Sequence, residues 1–426
     1  MKNVFFLSLG LMVYSTFAAT QVVSDVTVTD GDKLTITYRI DDRPAVVTLD
    51  IRTNNVSIGA ENFRSAIGDV NIRVEPGTHT ITWRAHRDWP NHRVANTTAV
   101  VTAWPVDDPP PYLVADLKKG GQPDVKYYVS TNALPGGFDN GCYKTTKLLM
   151  RKIPATGVRW LMGSPDPSRQ DKEFRHPVVL TRDYYMGVYP VTQGQYTNVV
   201  ESFPYPTAFT NFTDSPFHPV NYHAYNMVRG VSPAIDWPST GTNVAPNCVI
   251  QKFRDRTGLV IDLPTEAQWE FACRAGTATD LYNGESTADN LNRIAWNQGI
   301  AQKVSFQLDP GGTVYEGYPS RAVGEMEPNA FGLYDMIGNA TEYCLDWYGE
   351  DYRATYDEIG NSALTIDPVG LKTKPSTAPK RVIRGGSVAT TYPVSTLRAS
   401  MRASGDEGAT RGWNNGFRFV CPAIAE

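Results

Sequence analysis

Four positions in one stretch carry the strongest chemical signal in this chain. In Asn329–Tyr348, NAFGLYDMIGNATEYCLDWY, Asp335 and Glu342 bring carboxylates, and Gly338 and Ala340 bring backbone carbonyls. Calcium takes such a set, mixing carboxylates with carbonyl oxygens. Gly332 and Gly338 let the backbone turn tightly enough to aim the set inward. The same spacing also suits a capped turn between two strands, with Trp347 and Tyr348 in the core.

The other reactive groups are less organised. Ser387 and Ser395 are possible nucleophiles, but a serine needs a positioned base and spacing names none. The five cysteines, Cys142, Cys248, Cys273, Cys344 and Cys421, form no CxxC and no Cys/His zinc spacing. Their odd number leaves at least one unpaired within the chain. The six histidines are scattered. His218 and His223 do not share a helical face. His79, His86 and His92 lack the carboxylate that an iron-binding triad requires.

The elements that must position these groups follow from composition and pattern. A chain of 426 residues is expected to hold two or three domains. A net charge of -4 gives no basic face for nucleic acid. Glycine (35), proline (30) and aromatics at 11% point to a loop-rich fold held by large rings. Residues 1–19, MKNVFFLSLGLMVYSTFAA, read as a signal peptide: Lys2, an apolar run over Val4–Val13, then small residues at a cleavage site after Ala18 or Ala19. The expected mature protein is secreted or periplasmic, without membrane insertion.

Residues 20–104 alternate with period two, as in Leu34, Ile36, Tyr38 and Ile40, and turns fall at Asp30-Gly31 and Pro76-Gly77. This predicts an antiparallel β-sandwich. Residues 105–141 read as a stiff proline-rich linker and lead-in, with a strand at Lys126–Ser130. The second domain, 142–426, is α+β. Strands are expected at Thr145–Ile153, Gly157–Met162, Val178–Thr181 and Tyr184–Tyr189. Thr192 caps one helix, Pro219–Val228 holds a short one, and Asn247–Thr257 is closed by Gly258. Pro264–Arg274 is the clearest helix, capped by Thr265, with Trp269 and Cys273 on one face.

Five phrases then line up in order: GVYPVTQGQY (187–196), DLPTEAQWEFACRAG (262–276), Asn329–Tyr348, Arg384-Gly385-Gly386-Ser387, and Gly416-Phe417-Arg418. Together they resemble the formylglycine-generating enzyme, or sulfatase-modifying factor, family over about Cys142–Cys421. The resemblance implies a C-type lectin-like fold stabilised by structural calcium. It matches one site to Asp335, Gly338, Ala340 and Glu342, and a second to Asn290 and Leu291. It also implies oxidation of a substrate cysteine by oxygen and a copper(I) ion held between two cysteines. Thiolates suit that soft ion. Here those positions are Thr390 and Ser395, and the aromatic expected before Glu342 is Thr341.

The expected function is therefore a secreted, non-catalytic binding or scaffold module for a peptide or glycan. Tyr392, Arg398, Arg402, Arg411 and Trp413 are its expected contacts, because arginine and aromatics dominate recognition patches. Its weak catalytic candidates are Ser387, Thr390 and Ser395. The alternative is an oxidoreductase, either making formylglycine with copper or acting as another oxidase on this fold.

Overall fold

Alternating apolar residues in the first hundred positions build two facing sheets. The computed structural model describes residues 23–31, 33–92, 96–118, 120–203, 213–232, 235–307, 314–349, 364–376, 379–390, 396–408 and 412–425. The signal peptide and the candidates Tyr392, Ser395 and Arg411 lie outside them. One sheet orders β1 (Val23–Thr29), β2 (Leu34–Ile40), β7 (Gly77–Trp83) and β5 (Ile67–Gly68). The other centres on β3 (Ala45–Thr53), flanked by β4 (Val56–Ser57) and β6 (Arg73–Val74). Along its length β3 also pairs with β8 (Thr97–Pro105). Ile36, Ile40, Ile81 and Trp83 meet Val47, Leu49 and Ile51 between the sheets.

Strand β3 is buried on both faces at its start, where Ala45, Val46 and Val47 run without a polar break. Val46 leaves the sandwich core and packs with Leu113 and Tyr127 of the following domain. Two hydrogen bonds reinforce that contact: Tyr127 N–H donates to the Asn71 carbonyl (2.7 Å), and Arg64 Nε to the Asn132 carbonyl (2.8 Å).

Pro105–Pro111 is not a free spacer. Ala425 N–H donates to the Val106 carbonyl (2.7 Å), Lys152 Nζ pairs with Asp108 (2.6 Å), and Tyr185 donates its hydroxyl to the Pro110 carbonyl (2.5 Å). Prolines leave their carbonyls open to such donors because the extended chain makes no internal bonds. The lead-in then supplies two strands, β9 (Tyr112–Asp116) and β10 (Val125–Tyr128). They join β11 (Lys147–Ile153), β14 (Tyr184–Gly187) and β22 (Val420–Pro422) in a five-stranded sheet of order β10-β9-β11-β14-β22.

Smaller sheets and helices surround it. Strand β12 (Arg159–Met162) pairs with β13 (His176–Val179), which also pairs with β18 (Thr365–Ile366). Strands β13 and β14 are neighbours in sequence yet lie in different sheets. Strand β17 (Thr341–Trp347) lies between β19 (Lys380–Arg384) and β21 (Asn415–Gly416), with β20 (Ala403–Asp406) beyond β19. Helix α2 (Gln193–Val200) starts at a capping box of Thr192 and Gln195. Of the helix expected over Pro219–Val228, only Tyr225–Val228 (α3) forms. Helix α4 (Val249–Thr257) ends at Gly258 in the left-handed region. Helix α5 (Glu266–Arg274) has the Thr265–Gln268 capping box, and Trp269 and Cys273 are fully buried.

Candidate functional site

Among the candidates, Glu342 lies on β17 and Ser387 and Thr390 follow β19, the two strands against which α5 packs. Strand β19 ends in Arg384, and the chain turns through Gly385 and Gly386, both at positive φ. A Cβ on Gly386 would stand 2.4 Å from the Leu397 side chain, so only glycine fits this turn. Ser387 follows, buried. Its N–H donates to Thr390 Oγ1 (2.8 Å), and the Thr390 N–H returns to the Ser387 carbonyl (2.9 Å). Ala389 N–H donates to Ser387 Oγ (3.3 Å). The two hydroxyls sit 3.4 Å apart in a closed turn. Among the described residues no His, Lys, Asp or Glu side chain bonds either one. Among those residues, the pair has no partner of the kind a nucleophile needs as its base.

Thr390 occupies one of the positions matched to copper ligands, and a hydroxyl engaged with a backbone N–H is a hard, protonated group unsuited to copper(I). Nearby thiols do not substitute. Cys273 and Cys344 are fully buried, and burial pushes the Cys273 thiol up to about 12 and Cys344 well above its ordinary range. Thiolate is the ligating form, and burial disfavours it at both positions. All five cysteines are unbridged.

The oxygen set is better organised. Asp335, Gly338 and Asn339 all take positive φ, which folds the loop back on itself. A Cβ on Gly338 would lie 2.4 Å from the Trp296 carbonyl. Asp335 is buried and accepts Gly324 N–H (2.7 Å) and the Asn339 amide (3.1 Å), with no ion pair among the described residues. Burial pushes its carboxyl upward. As a carboxylate without a paired cation it is costly to bury. Glu342 is differently placed. Its oxygens receive Arg418 (2.8–3.1 Å) and Trp269 Nε1 (2.7 Å). No group of three His, Cys, Asp or Glu side chains suited to a metal occurs among the described residues. At the second expected site the Leu291 carbonyl already accepts Ala295 N–H in α6 (Ala288–Ile294), and the Asn290 amide donates to the Glu285 carbonyl.

Two expected ligand contacts have other partners. Arg398 is buried against Glu173. Arg402 grips Glu266 through Nε (2.5 Å) and a terminal nitrogen (2.9 Å) over the Tyr348 ring. Both guanidiniums face inward, because buried carboxylates on α5 and in 164–173 need cations. Trp413 is 38% exposed.

Sequence reasoning missed the scale of this ion-pair network. Arg384 reaches Glu270 and the Ser400 and Met401 carbonyls, and Arg274 shares Glu270 (2.8 Å). Burial would raise the Glu270 carboxyl, but Arg274 and Arg384 together hold it below its ordinary value. Asp346 lies beside Glu266, accepts its N–H (2.8 Å), and is pushed up to about 7 by burial and that neighbouring charge. The available signal was charged residues inside apolar phrases, as in QWEFACR and GFRFV.

A capped α5, a double-glycine turn after β19 and a buried Arg418–Glu342 pair define a sulfatase-modifying-factor scaffold. The chain belongs to the family described as the sulfatase-modifying factor enzyme 1-like domain, whose model matches residues 153–423. A formylglycine-generating enzyme of Thermomonospora curvata is 38% identical over 128 residues, covering 29% of this chain and 37% of that protein. One of Streptomyces coelicolor is 34% identical over 160 residues, covering 37% and 45%. This chain thus spans less than half the length of either relative. The bovine enzyme is 27% identical over 279 residues, covering 60% and 68%. Among solved structures, PvdO from Pseudomonas aeruginosa is 21% identical with a TM-score of 0.47, covering 65% of this chain and 94% of that one.

Proposed function

We propose that this chain is an exported binding module that keeps the family scaffold without cysteine oxidation. The observation that supports it is Thr390: a threonine, hydrogen-bonded into the Ser387 turn, stands where the family resemblance puts a copper-binding cysteine. A fold does not carry its reaction along when the reactive groups differ. The ligand is a peptide or glycan, with the exposed Trp413 as its aromatic contact. Calcium is structural in this reading, held by Asp335 with the Gly338 and Ala340 carbonyls, while Glu342 stays with Arg418 and Trp269. It would neutralise the buried Asp335 charge and fix the loop.

Metal analysis of the purified mature protein, before and after copper(I) loading, tests the reading. Calcium without stoichiometric copper is the expected result, together with no oxygen consumption on a cysteine-containing peptide. Stoichiometric copper and peptide oxidation would establish the oxidoreductase instead. Loss of thermal stability on chelation, absent in Asp335→Asn, checks the calcium assignment.

A further inference from the structure

A separate cavity of about 410 Å³ opens between the start of α5, the β14–β22 edge and the loops at 237–242 and 367–369. None of Asp335, Glu342, Ser387 or Thr390 lines it. Its walls are mainly apolar, formed by Leu180, Val260, Leu263, Leu345, Val369 and Val420. A cavity of this size and lining matches small-molecule sites, in which a few polar groups set orientation.

Those polar groups are asymmetric. Most of the acceptors are engaged. Asp183 takes the N–H groups of Ala155 and Thr156 together with the Thr156 hydroxyl, all on Oδ1. Asp367 takes the N–H and hydroxyl of Thr181. Asp262 takes Arg229, Arg254 and the Leu263 N–H. Thr265 and Gln268 close on each other through the capping box. Two donors are open. The Trp237 indole N–H, although without an acceptor, is occluded behind the wall and does not face the cavity. The exposed Arg182 guanidinium and the Gln268 side-chain NH2 make no hydrogen bond or ion pair among the described residues. An unpaired guanidinium beside an apolar wall suits an anionic oxygen.

We propose that this cavity binds a small apolar carboxylate, its chain or ring in the apolar walls and its oxygens toward Arg182 and the Gln268 amide. The unpaired guanidinium disfavours an amine of the same shape. Titration calorimetry with dodecanoate, below its aggregation concentration, should give saturable one-to-one binding to the full-length mature protein. Dodecyltrimethylammonium should bind at least about tenfold more weakly, a difference that one charge-assisted contact supplies. Arg182→Glu, on the surface, should weaken dodecanoate about tenfold at unchanged circular dichroism. Val369→Trp should block it by filling the cavity. Equal binding of the two amphiphiles, no saturable binding, or wild-type affinity in both variants would overturn the proposal.

Discussion

The sandwich and the family domain solve the same problem with different interiors. Between the sandwich sheets the buried layer is almost wholly apolar, and its charged pairs, such as Arg39–Asp41, sit at the surface. The family domain buries Arg229, Arg381, Arg384 and Arg418 completely, each against a carboxylate. An apolar layer needs only periodicity, and tolerates exchange of one aliphatic residue for another. A buried ion pair needs two residues far apart in sequence at one point in space. It adds little net stability but makes each partner indispensable to the other.

Breaking that contrast at its strongest point gives the largest effect. Arg418→Ala leaves Glu342 buried without its cation and strips partners from the Gly187, Val188 and Tyr334 carbonyls. The expected loss is about 3–5 kcal/mol in urea unfolding. Ile36→Ala in the sandwich should cost about 2–4 kcal/mol, the range for an emptied aliphatic site. Because Val46 joins the two cores, that variant should shift the unfolding of both regions together. Two well-separated transitions would show that the shared contact does not couple them.

A third test uses pH. The Asp346 carboxyl, at about 7 in the fold, lies far above its unfolded value of about 3.9. The folded state therefore binds the proton more tightly, and this contribution, full below about pH 4, is lost as pH rises through about 7. Asp346→Asn should flatten that part of the stability profile, read from melting curves across the window. The smallest effect sharpens the comparison from outside. Arg293 and Glu327 pair at 2.8 Å with both side chains at least half exposed. Arg293→Ala should change stability by no more than about 0.5 kcal/mol, since water and salt screen such pairs. A larger loss would mean that burial is not what separates the two classes of pair.

This division also explains what could be read from sequence. Strand β2 and the helices at Thr192, Gly258 and Thr265 were legible because alternation, caps and left-handed glycines are local signals. The phrases around Arg384-Gly385-Gly386-Ser387 located the double-glycine turn. The inward aim of Arg398 and Arg402 was not legible. Their partners, Glu173 and Glu266, lie more than a hundred residues away, and no local pattern distinguishes a buried guanidinium from a displayed one. The short α3 fell below expectation because Pro219 and Val220 pair with Thr192 and Val191 instead, and Tyr222 takes a positive φ.

The hydrogen bond from Ala425 to the Val106 carbonyl closes the family domain into a ring of chain. Such a ring has no privileged starting point. A gene permuted to join residue 425 to residue 106 through a few glycines, and opened at the exposed turn near Gly276, would encode the same set of strand pairings in a new order. The domain is thus a cassette whose two ends arrive at one doorway, which lets it be spliced into a host loop without spreading the host apart.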